Sequence, residues 1–171
     1  MRFSTFLLAV DQTNRPQSIK YNLLVAGQQL ELGNGAFLKI ISPASNFAKN
    51  GELNNNSIVT QLVYHSFKML LTGDAEEETE SNILKSNIDI KSDVLKSPHH
   101  GSRSSSSKNF LKAVDAKDVI ISLGKDNDYK HPHEEVLKRY KSLNMNIYRT
   151  DLNGTVTINT NGTTYEILKE Q

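Results

Sequence analysis

The stretch that decides the fold runs FKMLLTGDAEEETE over residues 67–80 and DVLKSPHHGSRSSSS over residues 93–107. Each half begins with a short apolar run and continues into a polar turn that contains glycine. A short apolar run that stops at a turn is typical of a strand buried on both faces. Loops at strand ends meet at one rim of a layered α/β protein. The sequence therefore predicts two neighbouring strands whose polar turns share a rim.

Helices are predicted after three of the polar turns. Several acidic residues favour a helix within residues 75–86, because the first turn of a helix carries a partial positive charge. The serine tract of residues 104–107 supplies a capping residue for a helix over residues 109–114. Pro132 suits the first position of a third helix, which ends near Leu143.

The remaining strands flank this centre, and Asn-Gly pairs join several of them. Strands are predicted over residues 21–32, 36–43, 57–64, 67–71, 93–96, 118–123, 146–152, 155–160 and 163–168. Asn-Gly is the strongest short-range hairpin signal, because both turn positions need positive φ. It occurs at residues 34–35, 153–154 and 161–162. The fold class is therefore α/β, a layered sandwich with a mixed sheet and a C-terminal antiparallel meander.

Composition limits the function classes. The 171 residues are enough for one domain, taken here as residues 1–171, with one sizeable core. Twenty basic and 19 acidic residues leave a net charge of +1, so no global polyanion-binding surface is indicated. Without cysteine, any metal must be held by His, Asp or Glu. The apolar run at residues 6–10 is too short for a signal peptide or a membrane span, which favours a soluble chain.

Three polar clusters follow three of the apolar strands, at residues 72–74, 99–102 and 127–132. Asp74 with His99 and His100 would suit Zn²⁺ or Mn²⁺. Each residue also has an ordinary structural explanation. Asp74 could cap the next helix with Glu77 as its partner, and the paired histidines could pack within a loop. His65 and His133 are expected at the surface. Four basic residues near the histidines form either a solvated face or a phosphate-attracting one, namely Lys96, Arg103, Lys108 and Lys112.

These motifs, together with NNNSIVTQLVY at residues 54–64 and DVIISLGKDNDYKHP at residues 118–132, resemble the metallo-β-lactamase-like domain of the ComEC family of bacterial DNA-uptake proteins. The resemblance covers about residues 21–165. It implies the C-terminal half of an αββα sandwich with a divalent-metal hydrolase site. Lys130 stands where the family usually has glycine.

The resemblance also implies roles for individual residues. Asp74 would bridge metal ions, and His99 or His100 would be a further ligand, with Asp74 and His100 as the catalytic residues. The metal would be Zn²⁺ or Mn²⁺ and the substrate a phosphodiester of single-stranded DNA. Substrate contacts are expected from Asn55, Ser57, Ser102, Arg103 and His131.

The superfamily's main ligand motif, His-x-His/Asp-x-Asp-His, does not occur in these 171 residues, and neither do the membrane segments of this inner-membrane family. Two or three ligands hold a metal weakly. We therefore expect little or no activity from this chain alone, with metal weakly held or absent. A partner chain would supply the other half of the domain. The alternative is a non-catalytic binding or scaffold module that kept the fold.

Overall fold

A computed structural model describes residues 24–44 and 53–171. The apolar run at residues 6–10 and the first residues of the predicted strand over 21–32 lie outside these ranges. No helix in the two described ranges combines the length and apolar character needed to cross a membrane.

Over residues 24–44 and 53–171, seven strands form one mixed sheet in the order of the chain. Their bounds are β1 (Gln29–Gly33), β2 (Ala36–Ser42), β3 (Val59–Tyr64), β4 (Phe67–Leu71), β5 (Val94–Lys96), β6 (Asp118–Ile121) and β7 (Asn146–Arg149). Strands β1 to β4 are antiparallel, and β4 to β7 are parallel. The first Asn-Gly turn joins β1 to β2, with positive φ at both positions as its sequence predicts.

Within the described residues, four helices and two short 3₁₀ turns connect the strands. The helices are α1 (Glu77–Lys85), α2 (Lys108–Val114), α3 (Glu134–Ser142) and α4 (Thr150–Asn153), and the 3₁₀ turns are Leu53–Asn56 and Pro98–Gly101. The cap predicted from the serine tract is confirmed, because the Ser107 side chain accepts a hydrogen bond from the Phe110 N–H.

The two faces of the sheet carry different layers, because successive strand residues point to opposite faces. Helices α1, α2 and α3 pack on one face, where fully buried residues such as Leu95 and Ile121 meet Phe110 and Tyr140. Residues of the opposite face pack against the hairpin formed by β8 (Val156–Thr160) and β9 (Tyr165–Lys169). They are Phe67, Val94 and Ile120. The parallel strands at the centre are therefore covered on both sides.

The α/β class and the mixed sheet are confirmed, and three details of the prediction are wrong. Strand β7 does not belong to a C-terminal meander: it pairs in parallel with β6, and only β8 and β9 form an antiparallel hairpin. Residues 150–153 turn as helix α4, so the Asn153-Gly154 pair follows a helix instead of joining two strands. Pro132 precedes the cap residue His133 and is not the first residue of α3. The αββα sandwich stays a prediction.

Candidate functional site

The turns after β4 and β5 are joined to each other, as expected for parallel neighbours whose carboxyl ends share one rim. The Thr72 hydroxyl donates to the carbonyl of Lys96 at 2.8 Å. The His99 N–H donates to the carbonyl of Gly73 at 3.1 Å. Thr72 is completely buried, so this link belongs to the core and holds the two turns in one position.

Asp74 and His100 face each other across this rim. His100 Nε2 lies 3.2 Å from Asp74 Oδ1, with 44% of the histidine and 31% of the aspartate side chain exposed. The other ring nitrogen, Nδ1, lies 2.6 Å from the carbonyl oxygen of Ser122. A carbonyl can only accept, so Nδ1 carries the proton, and Nε2 of a neutral ring presents a lone pair. In the neutral ring two acceptor atoms converge, so a cation, either a proton on Nε2 or a metal ion, can lie between them.

The pair fits two positions of a divalent-metal site. Tetrahedral Zn²⁺ with bonds near 2.0–2.2 Å places its nitrogen and oxygen ligands roughly 3.4 Å apart, close to the separation here. Donation from the second ring nitrogen to a backbone carbonyl is the usual arrangement behind a metal-binding histidine. However, residues 24–44 and 53–171 contain no group of three His, Asp or Glu that could hold a metal. Within these ranges the pair therefore offers two potential ligand atoms, and a metal site stays a prediction.

His99 points to a different carboxylate. Its Nδ1 lies 3.0 Å from Glu76 Oε1, but the two atoms are not aligned for a hydrogen bond. The buried Nδ1 has no other hydrogen-bond partner within the described ranges. Glu76 Oε1 instead accepts from Asn54 Nδ2 at 3.2 Å and from the Ser104 hydroxyl at 3.1 Å. Of the paired histidines, His100 is therefore the one that faces Asp74.

The backbone of the paired histidines is strained. His99 and His100 have φ of 45° and 53°, in the left-handed region. That conformation costs roughly 1–2 kcal/mol for each residue with a side chain. Gly101 follows with φ of 82°, and a Cβ there would lie 2.6 Å from Pro132 Cβ. Such strain is common at functional sites, where the surrounding structure imposes it.

The third polar cluster packs beside the first two, as the sequence predicts. The His131 ring stands edge-on to His99, with centroids 5.7 Å apart, and lies 4.9 Å from the His133 ring. Burial lowers the pKa of His131, and the neighbouring histidines lower it further. His133 was expected at the surface, but it is only partly exposed and its Nδ1 accepts from the Arg103 N–H at 3.2 Å.

The predicted substrate contacts surround this centre. Asn55 Nδ2 donates to Glu78 Oε2 at 2.6 Å, and Ser57 lies against Gly73. Arg103 has 68% of its side chain exposed, and its Nε lies 3.9 Å from Glu135. Ser102 is buried, and its hydroxyl contacts the Ser104 hydroxyl at 3.0 Å. The roles of these residues, and of His131, stay predictions.

The four basic residues near the histidines do not act as one surface. Lys108 and Lys112 are exposed on α2. Lys96 is drawn inward, where its Nζ donates to the Ser97 carbonyl at 3.0 Å. Burial lowers the pKa of Lys96 to about 8, although the negative charge of Asp74 opposes this. Lys96 therefore belongs to the interior of the rim beside Asp74, and Arg103 remains available to a phosphate.

Sequence reasoning missed two groups that lie against the paired histidines, and one alternative that it left open is wrong. Glu76 was interpreted only as a helix-favouring acid, and the Ser122 carbonyl, a backbone group, gave no signal. The proposed capping role of Asp74 is wrong, because α1 begins at Glu77 and its cap residue is Glu76. Asp74 is thus left free of helix capping and available to His100.

Comparison with known proteins places the chain among competence proteins, although no family model matches it. It is 34% identical over 145 residues to ComE operon protein 3 of Bacillus subtilis, covering 85% of this chain and 18% of that protein. Over 107 residues it is 38% identical to competence protein ComA of Neisseria gonorrhoeae, covering 62% and 16%. Recombination protein 2 of Haemophilus influenzae is 34% identical over 125 residues, covering 73% and 15%.

The chain thus spans less than a fifth of the length of each of these three relatives. The similarity covers much of this chain, including the three turns that form the rim, within the longest match. Through this segment, the chain is homologous to competence proteins of the ComEC family.

Proposed function

We propose that this chain forms the C-terminal half of a metal-dependent phosphodiesterase site that acts on single-stranded DNA during uptake. The domain would be a metallo-β-lactamase-like sandwich. Its remaining ligands would come from outside the described residues, in the same polypeptide or in a partner chain. Alone, the 171 residues would have little or no activity.

One observation carries this proposal: the acceptor atoms of Asp74 and His100 converge at 3.2 Å while Ser122 holds the far side of the imidazole. A buried or half-buried pair of acceptors repels itself unless a proton or a metal ion lies between them. The position is at the carboxyl ends of parallel strands, where sites of α/β proteins form. The names of the relatives, competence and recombination proteins, agree with DNA as the substrate.

Different residues of the chain would bind the metal, orient the imidazole and bind the substrate phosphate. Asp74 and His100 would hold Zn²⁺ or Mn²⁺, which supplies Lewis acidity toward a phosphate oxygen. The Ser122 carbonyl keeps His100 in the tautomer that exposes the Nε2 lone pair. Arg103, largely exposed, would bind a substrate phosphate through its planar guanidinium. Glu76 ties Asn54 and Ser104 together beneath His99 and so keeps the rim in shape.

Metal binding by the whole chain tests the proposed ligands. In equilibrium dialysis against Zn²⁺ or Mn²⁺, we expect weak binding that Asp74→Asn or His100→Gln reduces at least about tenfold, the lower end of losses seen even for residues that only support ligands. His65→Gln is the matched control, because His65 is exposed in the β3–β4 turn. Equal metal retention in all four proteins would refute the ligand assignment.

A DNA assay tests the predicted low activity. Purified chain with Mn²⁺ or Zn²⁺ should leave a labelled single-stranded oligonucleotide nearly intact. Robust cleavage that Asp74→Ala abolishes would show that the chain is a complete nuclease and would contradict the half-site proposal.

A non-catalytic binding module is the second candidate, favoured by the lack of a three-ligand group within the described ranges. The two candidates differ in metal content. A binding module predicts no stoichiometric Zn²⁺ or Mn²⁺ in the purified chain. It also predicts that Asp74→Asn leaves the affinity for the binding partner unchanged. Equilibrium dialysis against Zn²⁺ or Mn²⁺ separates them, because only the half-site predicts metal binding that Asp74→Asn weakens.

A further inference from the structure

One aromatic side chain beside the rim, Tyr129, lies largely in solvent. Tyr129 is 77% exposed and is the most exposed large apolar or aromatic residue in the described parts of the chain, ahead of Leu152 at 60%. Placing an aromatic ring in water forgoes the free energy that its burial would provide. Its position therefore favours contact with a ligand.

The loop that carries Tyr129 is held in one shape by Asn127. The Asn127 Nδ2 donates to the carbonyls of Gly124, at 3.2 Å, and His131, at 2.8 Å. Its Oδ1 accepts from the His131 N–H at 2.9 Å. The backbone closes the same turn through Lys130 N–H to the Asn127 carbonyl at 3.1 Å. A ring on such a loop loses less entropy on binding than a ring on a loose segment.

The Tyr129 ring contacts the rim through His131. It stacks on His131 with centroids 5.7 Å apart and an interplanar angle of 28°. His131 in turn lies 5.7 Å from His99, the neighbour of His100. Tyr129, His131 and His99 thus form a row of rings that begins in solvent and ends beside Glu76, at the residue next to His100.

Charge does not explain this loop. Lys125 and Lys130 are balanced by Asp126 and Asp128, all four exposed. Electrostatic attraction of a polyanion would require an excess of positive charge. A surface that offers an exposed ring without net charge suits the flat face of a nucleobase, because base–aromatic stacking is independent of charge and of base identity.

We propose that Tyr129 is a base-stacking residue for single-stranded DNA, placing the strand so that a nearby phosphate reaches Arg103 and the Asp74–His100 pair. This inference rests on the proposed function. It goes beyond it by naming the residue that binds bases, in a site where the other named groups would contact phosphate.

Binding of a fluorescein-labelled 20-nucleotide oligo(dT) to the whole chain, followed by anisotropy, tests the proposal. Loss of one stacking contact weakens binding by roughly 1–3 kcal/mol, so Tyr129→Ala should raise the Kd roughly 5- to 150-fold. Tyr129→Phe keeps the ring and should bind within about twofold of the wild type. Leu168→Ala removes another exposed apolar side chain, on β9, and should have no effect.

A strand of abasic nucleotides separates stacking from phosphate binding. If Tyr129 stacks on bases, the wild type and Tyr129→Ala bind the abasic strand equally, whereas Arg103→Ala weakens binding to both strands. Far-UV circular dichroism confirms that each variant is folded.

The outcomes separate this inference from the proposed function. If the wild type binds oligo(dT) but Tyr129→Ala binds as well, or loses affinity equally for the abasic strand, stacking is refuted while DNA binding stands. If the wild type does not bind oligo(dT), DNA as the substrate is refuted, and the stacking role with it.

Discussion

At the scale of single residues, three residues of the rim have left-handed backbone conformations. His99, His100 and Lys130 all have positive φ although none is glycine. For the histidines, the left-handed turn lets adjacent rings reach two different carboxylates, Glu76 and Asp74. For Lys130, φ is 55°, a conformation that glycine adopts without a steric cost.

Lys130→Gly should therefore stabilise the chain. Removing the strain of the left-handed backbone stabilises the folded chain by about 1–2 kcal/mol. The extra flexibility of glycine in the unfolded state costs about 0.5–1 kcal/mol of that stability. We expect a net gain of about 0.5–1 kcal/mol, which raises Tm by roughly 1–4 °C in a chain of this size. Lys125→Gly, in the same loop but without positive φ, is the control and should lower Tm or leave it unchanged. Equal changes in both variants would show that Lys130 is unstrained.

At the scale of elements, the serine tract before α2 packs between α1 and α3 and forms hydrogen bonds with both helices. Ser105 and Ser106 are buried. The Glu80 carboxylate of α1 accepts from the N–H groups of Ser106, at 2.5 Å, and Ser107, at 2.8 Å. From α3, Arg139 donates to the carbonyls of Ser105 and Ser106. The repeated serines therefore form a fixed turn that satisfies buried backbone groups.

Glu80→Gln should destabilise this connection. One carboxylate oxygen becomes an NH₂ group, which cannot accept from a backbone N–H, and a buried donor without a partner costs about 1–3 kcal/mol. Urea denaturation at pH 7 should show a loss of that size. Glu31→Gln, at an exposed position of β1, should change the free energy of unfolding by less than about 0.5 kcal/mol. A loss no larger than the control's would contradict the role of Glu80.

The same residue makes stability depend on pH. Burial raises the pKa of Glu80 above 4.5, although the hydrogen bonds from Ser107 and Ser106 oppose the rise. The folded chain then holds this proton more tightly than the unfolded chain does. Protonation of Glu80 therefore stabilises the folded chain. This contribution is complete below pH 4.5, the pKa in the unfolded chain, and is lost as the pH rises through the pKa in the folded chain. Glu80→Gln should flatten that part of the urea-midpoint profile. An unchanged slope would assign the pH dependence to other groups.

At the scale of the whole molecule, the β8–β9 hairpin closes the sheet face opposite the helices. The hairpin supplies Val156, Ile158 and Tyr165 against Phe67, Val94 and Ile120. It is also anchored by a polar contact: the Tyr165 hydroxyl donates to Asp118 at the start of β6, where Asn146 Nδ2 donates to the other carboxylate oxygen at 2.9 Å. Burial and the neighbouring Asp118 raise the pKa of Tyr165, so the hydroxyl keeps its proton at neutral pH.

Tyr165→Phe should weaken the attachment of this hairpin. Asp118 is 3% exposed, and a buried carboxylate that loses a donor costs about 1.5–3 kcal/mol. Urea denaturation should reveal a loss of this size. The matched control is Tyr129→Phe, which removes the same hydroxyl from an exposed ring and should leave stability unchanged. Similar losses in both variants would mean that the Asp118 contact does not hold the hairpin.

The sequence by itself determined the local features of the protein. Apolar runs located most of the strands, the Asn34-Gly35 and Asn161-Gly162 pairs located the β1–β2 and β8–β9 hairpins, and serines located the cap of α2. It also indicated that Asp74 and the paired histidines share a rim. The strands, turns and cap depend on a few consecutive residues, whose turn chemistry and periodicity act within one element. The shared rim was inferred from the general rule that loops at the ends of neighbouring strands meet.

The tertiary structure alone decided which distant groups meet. It pairs β7 with β6, although the Asn153-Gly154 pair predicted a hairpin with β8. It turns His100 toward Asp74 and His99 toward Glu76, because left-handed backbone and a carbonyl from the far end of β6 orient the rings. It also leaves the Tyr129 ring exposed to solvent. Strand pairing and ring orientation are set by contacts between residues far apart in the chain, about which a local pattern carries no information.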